Sequence, residues 1–168
     1  MGKPLILVVE DEPKQADMIA KMINQTGRYE AVIAHSAKEG FEMLDKYKRF
    51  LGLADNQIKC IVLDIKMPEM DGLEFLKEIR RQESFMKLLP VIILTAYEDK
   101  VKWAKATLSE RGIVAAYLKK PVKEEELIDT IDRILAGDMW RMVDETEEKR
   151  KQRWDKLEEG EESHSGEE

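Results

Sequence analysis

The sequence predicts an α/β fold, a doubly wound sandwich in which a five-stranded parallel sheet is covered by helices on both faces. Short continuous apolar runs such as Leu5–Val9 are typical of strands that are buried on both sides. After each such run comes a segment that has helical spacing of apolar residues or helix end signals. Because five strand–helix units follow one another, we expect a parallel sheet with right-handed crossovers.

Each predicted strand has a composition that suits a buried sheet. The third strand, IKCIVL, is rich in β-branched residues, and the fourth, PVIIL, has its proline at the start, where a strand tolerates it. The single cysteine, Cys60, lies in the third strand, and we expect it to be an inert core residue. The five strands are predicted over residues 5–9, 29–34, 58–63, 90–94 and 115–118.

The predicted helices have recognisable ends or apolar faces. Pro13 suits the first turn of the first helix, which ends at Thr26 and Gly27. Ser36 followed by Glu39 forms a capping box at the start of the second helix. The third and fifth helices have clear apolar stripes, and Gly112 marks the end of the fourth. These three helices are predicted over residues 72–81, 99–110 and 123–135.

Composition excludes several classes of protein. The chain has 168 residues, of which 43% are apolar and 38% charged, with a net charge of -7 and one cysteine. These values exclude wholesale disorder and an internal disulfide framework, and no apolar run is long enough to span a membrane. The start of the sequence does not resemble a secretory signal, so we expect a cytoplasmic protein. The acidic balance argues against a nucleic-acid partner.

The negative charge is concentrated at the end of the chain. Residues 138–168 contain 12 acidic and 6 basic residues, whereas residues 1–137 contain 23 and 22. We therefore predict a near-neutral body over residues 1–136 and a charged tail over 137–168, helical to about residue 159 and disordered beyond it. Opposite charges four residues apart support this helix, but the heptad pattern fails at Glu147 and Arg150, so a sustained coiled coil is weakly supported.

Polar side chains follow four of the predicted strands. In parallel sheets, ligands bind beyond the carboxyl ends of the strands, so these side chains should meet there. Three carboxylates placed together would favour a hard cation such as Mg²⁺, and an aspartate beside Mg²⁺, Lys and Thr can accept a phosphoryl group. Taken singly, each piece is more often a solvated loop, a strand end or a surface lysine. The residues are Glu10 and Asp11, Asp64, Thr95, and Lys119 and Lys120 before Pro121.

These residues stand in motifs that resemble the receiver domain of two-component response regulators, including the single-domain chemotaxis type. The resemblance covers about residues 3–136 and implies a flavodoxin-like fold with strand order 2-1-3-4-5. Its most specific part is the nine-residue stretch DIKMPEMDG. The motifs are VVEDE at residues 8–12, DIKMPEMDG at 64–72, LTA at 94–96 and YLKKP at 117–121.

The resemblance implies a role for each acidic site residue. By position in the motifs, Asp64 is the phosphoryl acceptor. Glu10 and Asp11 form the acidic pair that holds Mg²⁺ together with Asp64, and the backbone carbonyl of Lys66 is a further contact.

The resemblance also implies switch residues. Thr95 provides the hydroxyl that binds the phosphoryl group. Lys120 matches the site lysine that receiver domains have directly before a proline, and the bond from it to Pro121 is expected to be cis. Tyr117 matches the aromatic switch position, although an ordinary half-buried strand aromatic is the alternative.

The function we expect is a stand-alone receiver that takes a phosphoryl group from a sensor histidine kinase or a histidine phosphotransfer protein. Its output would be a protein-binding face made by the fourth helix, the fifth strand and the fifth helix, where Trp103 is a candidate anchor. It would not be an enzyme beyond its own phosphorylation and dephosphorylation. One alternative is a pseudo-receiver used for interaction or dimerisation, and another is an Mg²⁺-dependent aspartyl phosphatase. The common form of that phosphatase chemistry uses an Asp as general acid two residues after the nucleophile, where this chain has Lys66.

Two further features have open interpretations. Compared with short members of the receiver family, the chain has about eight more residues between Asp11 and Asp64, near residues 49–57. They form either a lid or partner-contact feature or a neutral loop insertion. Lys66 and Tyr97, each two residues beyond a site residue, could shield an acyl phosphate from water.

Overall fold

The computed structural model describes residues 2–48, 57–83, 88–96 and 113–162. Five parallel strands form one sheet in the order β2-β1-β3-β4-β5, which confirms the predicted fold and strand order. The predicted strand bounds hold to within one residue at each end. The strands are β1 (Leu5–Val9), β2 (Glu30–Ala34), β3 (Ile58–Asp64), β4 (Val91–Thr95) and β5 (Ala116–Lys119).

Five helices lie within the described residues. The Ser36 hydroxyl caps the second helix by accepting a 3.1 Å bond from the Glu39 N–H, as the capping box predicts. The helix predicted over 99–110 lies outside the described residues, as do Trp103, Tyr97 and the extra segment up to residue 56. The helices are α1 (Pro13–Gln25), α2 (Ala37–Lys46), α3 (Gly72–Gln82), α4 (Glu124–Leu135) and α5 (Met139–Glu162).

The sheet separates two apolar cores. Alternate residues of β1 point to opposite faces, so that Leu7 packs towards α2 and α3 while Ile6 and Val8 pack towards α1 and α4. Both faces of the strand are therefore buried, which explains why its sequence is continuously apolar. Cys60 is fully buried in the second core, and burial raises the pKa of its thiol, as expected for an inert cysteine.

Strand register places the functional edge. Val9 lies beside Leu63 in the sheet, Asp64 beside Leu94, and Thr95 beside Lys119. The carboxyl ends of β1, β3, β4 and β5 therefore lie at the same edge of the sheet.

The C-terminal helix α5 is built into the body at its start. Met139, Met142 and Val143 are buried in the second core, and the Thr146 hydroxyl donates a 2.9 Å hydrogen bond to the carbonyl of Ala115, just before β5. The helix is described as far as Glu162, and residues 163–168, which the sequence predicts to be disordered, lie outside the described residues. The segment that the charge distribution marks as a tail thus contributes three apolar side chains to the core.

A tight turn fixes the direction in which α5 leaves α4. Gly137 has a φ of 89°, a left-handed conformation that favours glycine. Arg133 then binds Asp138 at 2.6 Å and Glu145 at 3.2 Å, so that one guanidinium ties α4 to the turn and to the second turn of α5.

No helix among the described residues is long and apolar enough to cross a lipid bilayer.

The packing of α5 predicts a measurable contribution to stability. Met142 is 3% exposed, whereas Met18 on α1 is 42% exposed. We expect Met142→Ala to lower the free energy of unfolding by about 2–5 kcal/mol, because it leaves a cavity in the core. Met18→Ala removes the same side chain from the surface and should change stability by no more than about 0.5 kcal/mol. Urea denaturation of both variants checks this, and equal effects would show that α5 is not part of the core.

Candidate functional site

Three carboxylates meet at the carboxyl edge of the sheet. Glu10 follows β1 directly, Asp11 comes next, and Asp64 is the last residue of β3. One carboxylate oxygen from each of the three lies within 4.8 Å of the others. Glu10 and Asp64 are only 1% and 4% exposed, while Asp11 is half-buried and opens the group towards solvent.

The ammonium group of Lys120 lies between two of these carboxylates. Its Nζ is 2.8 Å from Oδ1 of Asp64 and 3.2 Å from Oε2 of Glu10. The lysine comes directly after β5. Its positive charge balances the carboxylates that follow β1 and end β3.

Burial and charge set the protonation of this group. Burial raises the pKa of Glu10, and the negative charge of Asp64 raises it further, against the opposing effects of the Glu12 N–H and of Lys120. Burial by itself lowers the pKa of Lys120, but hydrogen bonding and charge from Asp64 and Glu10 outweigh it, so the net shift is upward. Lys120 is therefore a firmly charged ammonium.

Thr95 and Tyr117 lie on the two strands nearest to this lysine. Thr95 is buried, and its hydroxyl donates a 2.9 Å hydrogen bond to the carbonyl of Ala96. Its own carbonyl accepts a 2.9 Å bond from the Lys120 N–H, which joins the ends of β4 and β5. Tyr117 is half-buried beside Ile93 and packs against the first core.

Two finer expectations can be compared with the structure. The Lys120–Pro121 bond is cis, which confirms the prediction from the resemblance. Lys119 is exposed, as predicted for a neighbour of the site lysine, and Lys66 is exposed next to the buried Ile65.

Gly72, the first residue of α3, brings the chain back against the end of β3, a contact that the sequence did not predict. Its N–H donates a 2.8 Å hydrogen bond to the carbonyl of Ile65. A Cβ at this position would lie 2.4 Å from the backbone oxygen of Asp64. The glycine that closes the DIKMPEMDG motif was the available signal, since a glycine at a turn often marks a close backbone approach.

His35 also borders the site. Its Nδ1 lies 3.2 Å from the backbone carbonyl of Glu10, and its N–H donates a 2.7 Å bond to Glu39. The contact arises because β2 lies beside β1 in the sheet, and no sequence signal of that contact was available.

The residues present suit a small hard cation. All three side-chain donors are carboxylates, which Mg²⁺ prefers, and one of them is open to water, which Mg²⁺ retains in most protein sites. The acidic cluster could therefore bind a metal.

A family model for the response regulator receiver domain matches residues 6–132. The chain belongs to the response regulator receiver domain family. The match covers most of the chain and every site residue described above.

Several curated proteins are similar to this receiver domain. Hybrid signal transduction histidine kinase D of Dictyostelium discoideum is 32% identical over 134 residues, covering 80% of this chain but 8% of the kinase. Transcriptional regulatory protein GlrR of Escherichia coli is 31% identical, covering 77% of this chain and 26% of GlrR. The chain thus spans a small part of these relatives. An uncharacterised 14.6 kDa protein of Leptolyngbya boryana is 32% identical, covering 76% of this chain and 87% of that protein.

Solved structures agree with the fold. A response regulator receiver domain protein from Clostridium thermocellum superposes with a TM-score of 0.65 at 28% identity, covering 80% of this chain and 95% of that chain. A putative response regulator from Chloroflexus aurantiacus gives a TM-score of 0.64 at 27% identity, covering 80% and 99%. Receiver domains are signalling modules of two-component systems, and their partners are histidine kinases or phosphotransfer proteins.

The close approach at Gly72 predicts the effect of adding one methyl group. We expect Gly72→Ala to lower the free energy of unfolding by about 1–3 kcal/mol, because the new Cβ overlaps rigid backbone. Gly2→Ala, where the same methyl group meets open space, should have no measurable effect. Chemical denaturation of the two variants provides the comparison, and a neutral Gly72→Ala would contradict the predicted close packing.

The pKa of Glu10 should depend on Asp64. Asp64→Asn removes a negative charge that raises this pKa and leaves Lys120 to pair with Glu10 alone. We therefore expect the pKa of Glu10 to fall in this variant. Carboxyl-carbon NMR titration without divalent metal measures the shift, with the exposed-site variant Asp45→Asn as control. A pKa that stays constant or rises would argue against the coupling of the two carboxylates.

Proposed function

We propose that this receiver domain accepts a phosphoryl group on Asp64 from a phosphohistidine donor. The observation that carries the proposal is the buried acidic group at the carboxyl edge of the sheet, with the ammonium of Lys120 2.8 Å from one carboxylate oxygen of Asp64. Glu10, Asp11 and Asp64, with the backbone carbonyl of Lys66, would hold Mg²⁺. Bound there, the ion would neutralise charge on the incoming phosphoryl group.

The transfer needs a nucleophile and a charge partner from the chain. A carboxylate oxygen of Asp64 forms a bond to phosphorus while the P–N bond to the donor imidazole breaks, and the imidazole nitrogen keeps the electron pair. Lys120 bridges Asp64 and Glu10. It would pair with a phosphoryl oxygen once the group is transferred. Water later attacks phosphorus and breaks the P–O bond to Asp64, which releases phosphate.

The added charge can change the packing around β4 and β5. A phosphoryl group brings roughly two negative charges, which would attract Lys120 and the hydroxyl of Thr95. Thr95 would then exchange its bond to the Ala96 carbonyl for a phosphoryl oxygen. Tyr117, half-buried on the neighbouring strand, would turn inward as Thr95 moves, so phosphorylation would shift the population between two packings.

Two kinds of protein partner are expected, a phosphoryl donor and a downstream target. A sensor histidine kinase or histidine phosphotransfer protein would supply the phosphoryl group. A protein target would bind the face made by β5 and α4, and nucleic acid and membrane would have no part in it. The segment 99–110, which the resemblance would add to this face, lies outside the described residues. We propose that the chain acts as a stand-alone regulator in the cytoplasm, where its one cysteine would stay reduced.

Intact-mass measurement tests the acceptor directly. The protein is incubated with Mg²⁺ and a small acyl phosphate, and we expect a mass increase of one phosphoryl group. Asp64→Asn should abolish the adduct because it removes the nucleophile, whereas Asp45→Asn, the same change at an exposed site on α2, should retain it. Chelation of divalent metal should strongly reduce the adduct.

Three outcomes would contradict the proposal. An adduct that persists in Asp64→Asn would place the acceptor elsewhere. Absence of an adduct with acyl phosphate and with a phosphorylated histidine protein would favour a pseudo-receiver that acts only as an interaction module. Rapid turnover of general phosphate esters would favour an aspartyl phosphatase.

A further inference from the structure

We propose that the base of α5 responds to the phosphorylation state of the domain, and that phosphorylation of Asp64 weakens its contact with β5. The base of α5 is defined as residues 139–146. The inference rests on the proposed function, because it requires Asp64 to accept a phosphoryl group. The family model ends at residue 132 and α5 begins at Met139, so this helix lies outside the matched domain.

The base of α5 is joined to β5 by apolar packing and by a hydrogen bond. Met142 and Val143 are buried in the second core, to which Leu118 of β5 also belongs. The Thr146 hydroxyl donates a 2.9 Å hydrogen bond to the carbonyl of Ala115, the residue directly before β5. The helix is therefore attached to the amino end of the fifth strand.

The two faces of β5 connect this contact with the proposed switch. Tyr117 packs against the first core, whereas Ala116 and Leu118 belong to the second core, because alternate side chains of a strand point to opposite faces. One face of the strand thus carries the candidate switch aromatic. The other face contributes to the core in which the base of α5 is buried.

Both ends of β5 are tied to β4. The Lys120 N–H donates a 2.9 Å bond to the Thr95 carbonyl at one end, and the Ala115 N–H donates a 2.9 Å bond to the Val91 carbonyl at the other. The strand between them has only four residues. Because packed interiors transmit strain, we expect so short a strand to move as one unit. A shift of Lys120 towards a phosphoryl group would then also shift the carbonyl of Ala115.

The Thr146 hydrogen bond is sensitive to such a shift. Bonds from a hydroxyl to an oxygen are normally about 2.5–3.0 Å long, so a displacement of about 1 Å would remove this one. Arg133 keeps the start of α5 attached to α4 through Asp138 and Glu145. Loss of the bond would therefore loosen the base of the helix without detaching it.

Thermodynamic linkage makes this coupling reciprocal. If a phosphoryl group weakens the contact of α5 with β5, the intact contact must stabilise the unphosphorylated packing by the same factor. A neutral hydrogen bond changes an equilibrium by about two- to tenfold. The base of α5 thus restrains the switch as well as responding to it.

Hydrogen exchange in α5 tests the inference on the full-length protein. The protein is incubated with Mg²⁺, with and without a small acyl phosphate, and deuterium uptake is measured by mass spectrometry for peptides within residues 139–150. We expect the phosphorylated sample to exchange about two- to tenfold faster. The intact mass of the same sample records the adduct. Asp64→Asn should show neither the adduct nor the faster exchange.

Thr146→Val removes the hydroxyl and keeps a side chain of similar shape. We expect this variant to exchange about two- to tenfold faster before phosphorylation, with little further change afterwards. With Mg²⁺ and beryllium trifluoride, a reversible mimic of a phosphoryl group on a carboxylate, its half-saturating concentration should fall by the same factor. Thr26→Val is the matched control and should change neither value, because the Thr26 hydroxyl donates a 2.8 Å bond to the Ile23 carbonyl at the end of α1.

The outcomes separate this inference from the proposed function. An adduct on Asp64 with unchanged or slower exchange in α5 would overturn the inference and leave the proposed function standing. Absence of an adduct would overturn both. An equal effect of Thr26→Val would assign the faster exchange to a general loss of stability, and this too would overturn the inference.

Discussion

One ammonium group holds the functional edge of this molecule together. Lys120 lies within 3.2 Å of both Glu10 and Asp64, two carboxylates that the sheet buries almost completely. The carboxylate oxygens of Glu10 and Asp64 lie within 4.8 Å of each other. Buried carboxylates this close repel each other and lose their hydration, so they need a cation within hydrogen-bonding distance. The backbone N–H of the same lysine binds Thr95, so a single residue connects the ends of β1, β3, β4 and β5.

The rest of the fold supplies what this interaction requires. A sheet covered on both faces keeps water from Glu10 and Asp64, and the cost of burying them is offset by two apolar cores. Gly72 lets the start of α3 pack directly on the backbone of Asp64. A buried acidic site with one cation is short of positive charge, so the three carboxylates could bind a second cation.

Parallel topology explains how much the sequence could predict. Apolar runs locate the strands, and since parallel strands end at one edge, the residues after them identify Glu10, Asp64 and Lys120 without knowledge of any contact. Packing against other elements leaves no such signal. The contact of His35 with the Glu10 carbonyl depends on the pairing of β2 with β1, and Met139 was missed as a core residue because the helix that carries it is mostly charged.

The C-terminal helix shows that charge alone does not mark a boundary in this chain. Residues 138–168 hold nearly all the excess negative charge, yet their first turns pack on β5 and α4. The carbonyl that Thr146 binds belongs to Ala115, whose N–H donates to Val91 at the start of β4. The base of α5 is therefore attached to the same two strands whose other ends carry Thr95 and Lys120. Any rearrangement that shifts β5 relative to β4 must also move the point from which the helix projects.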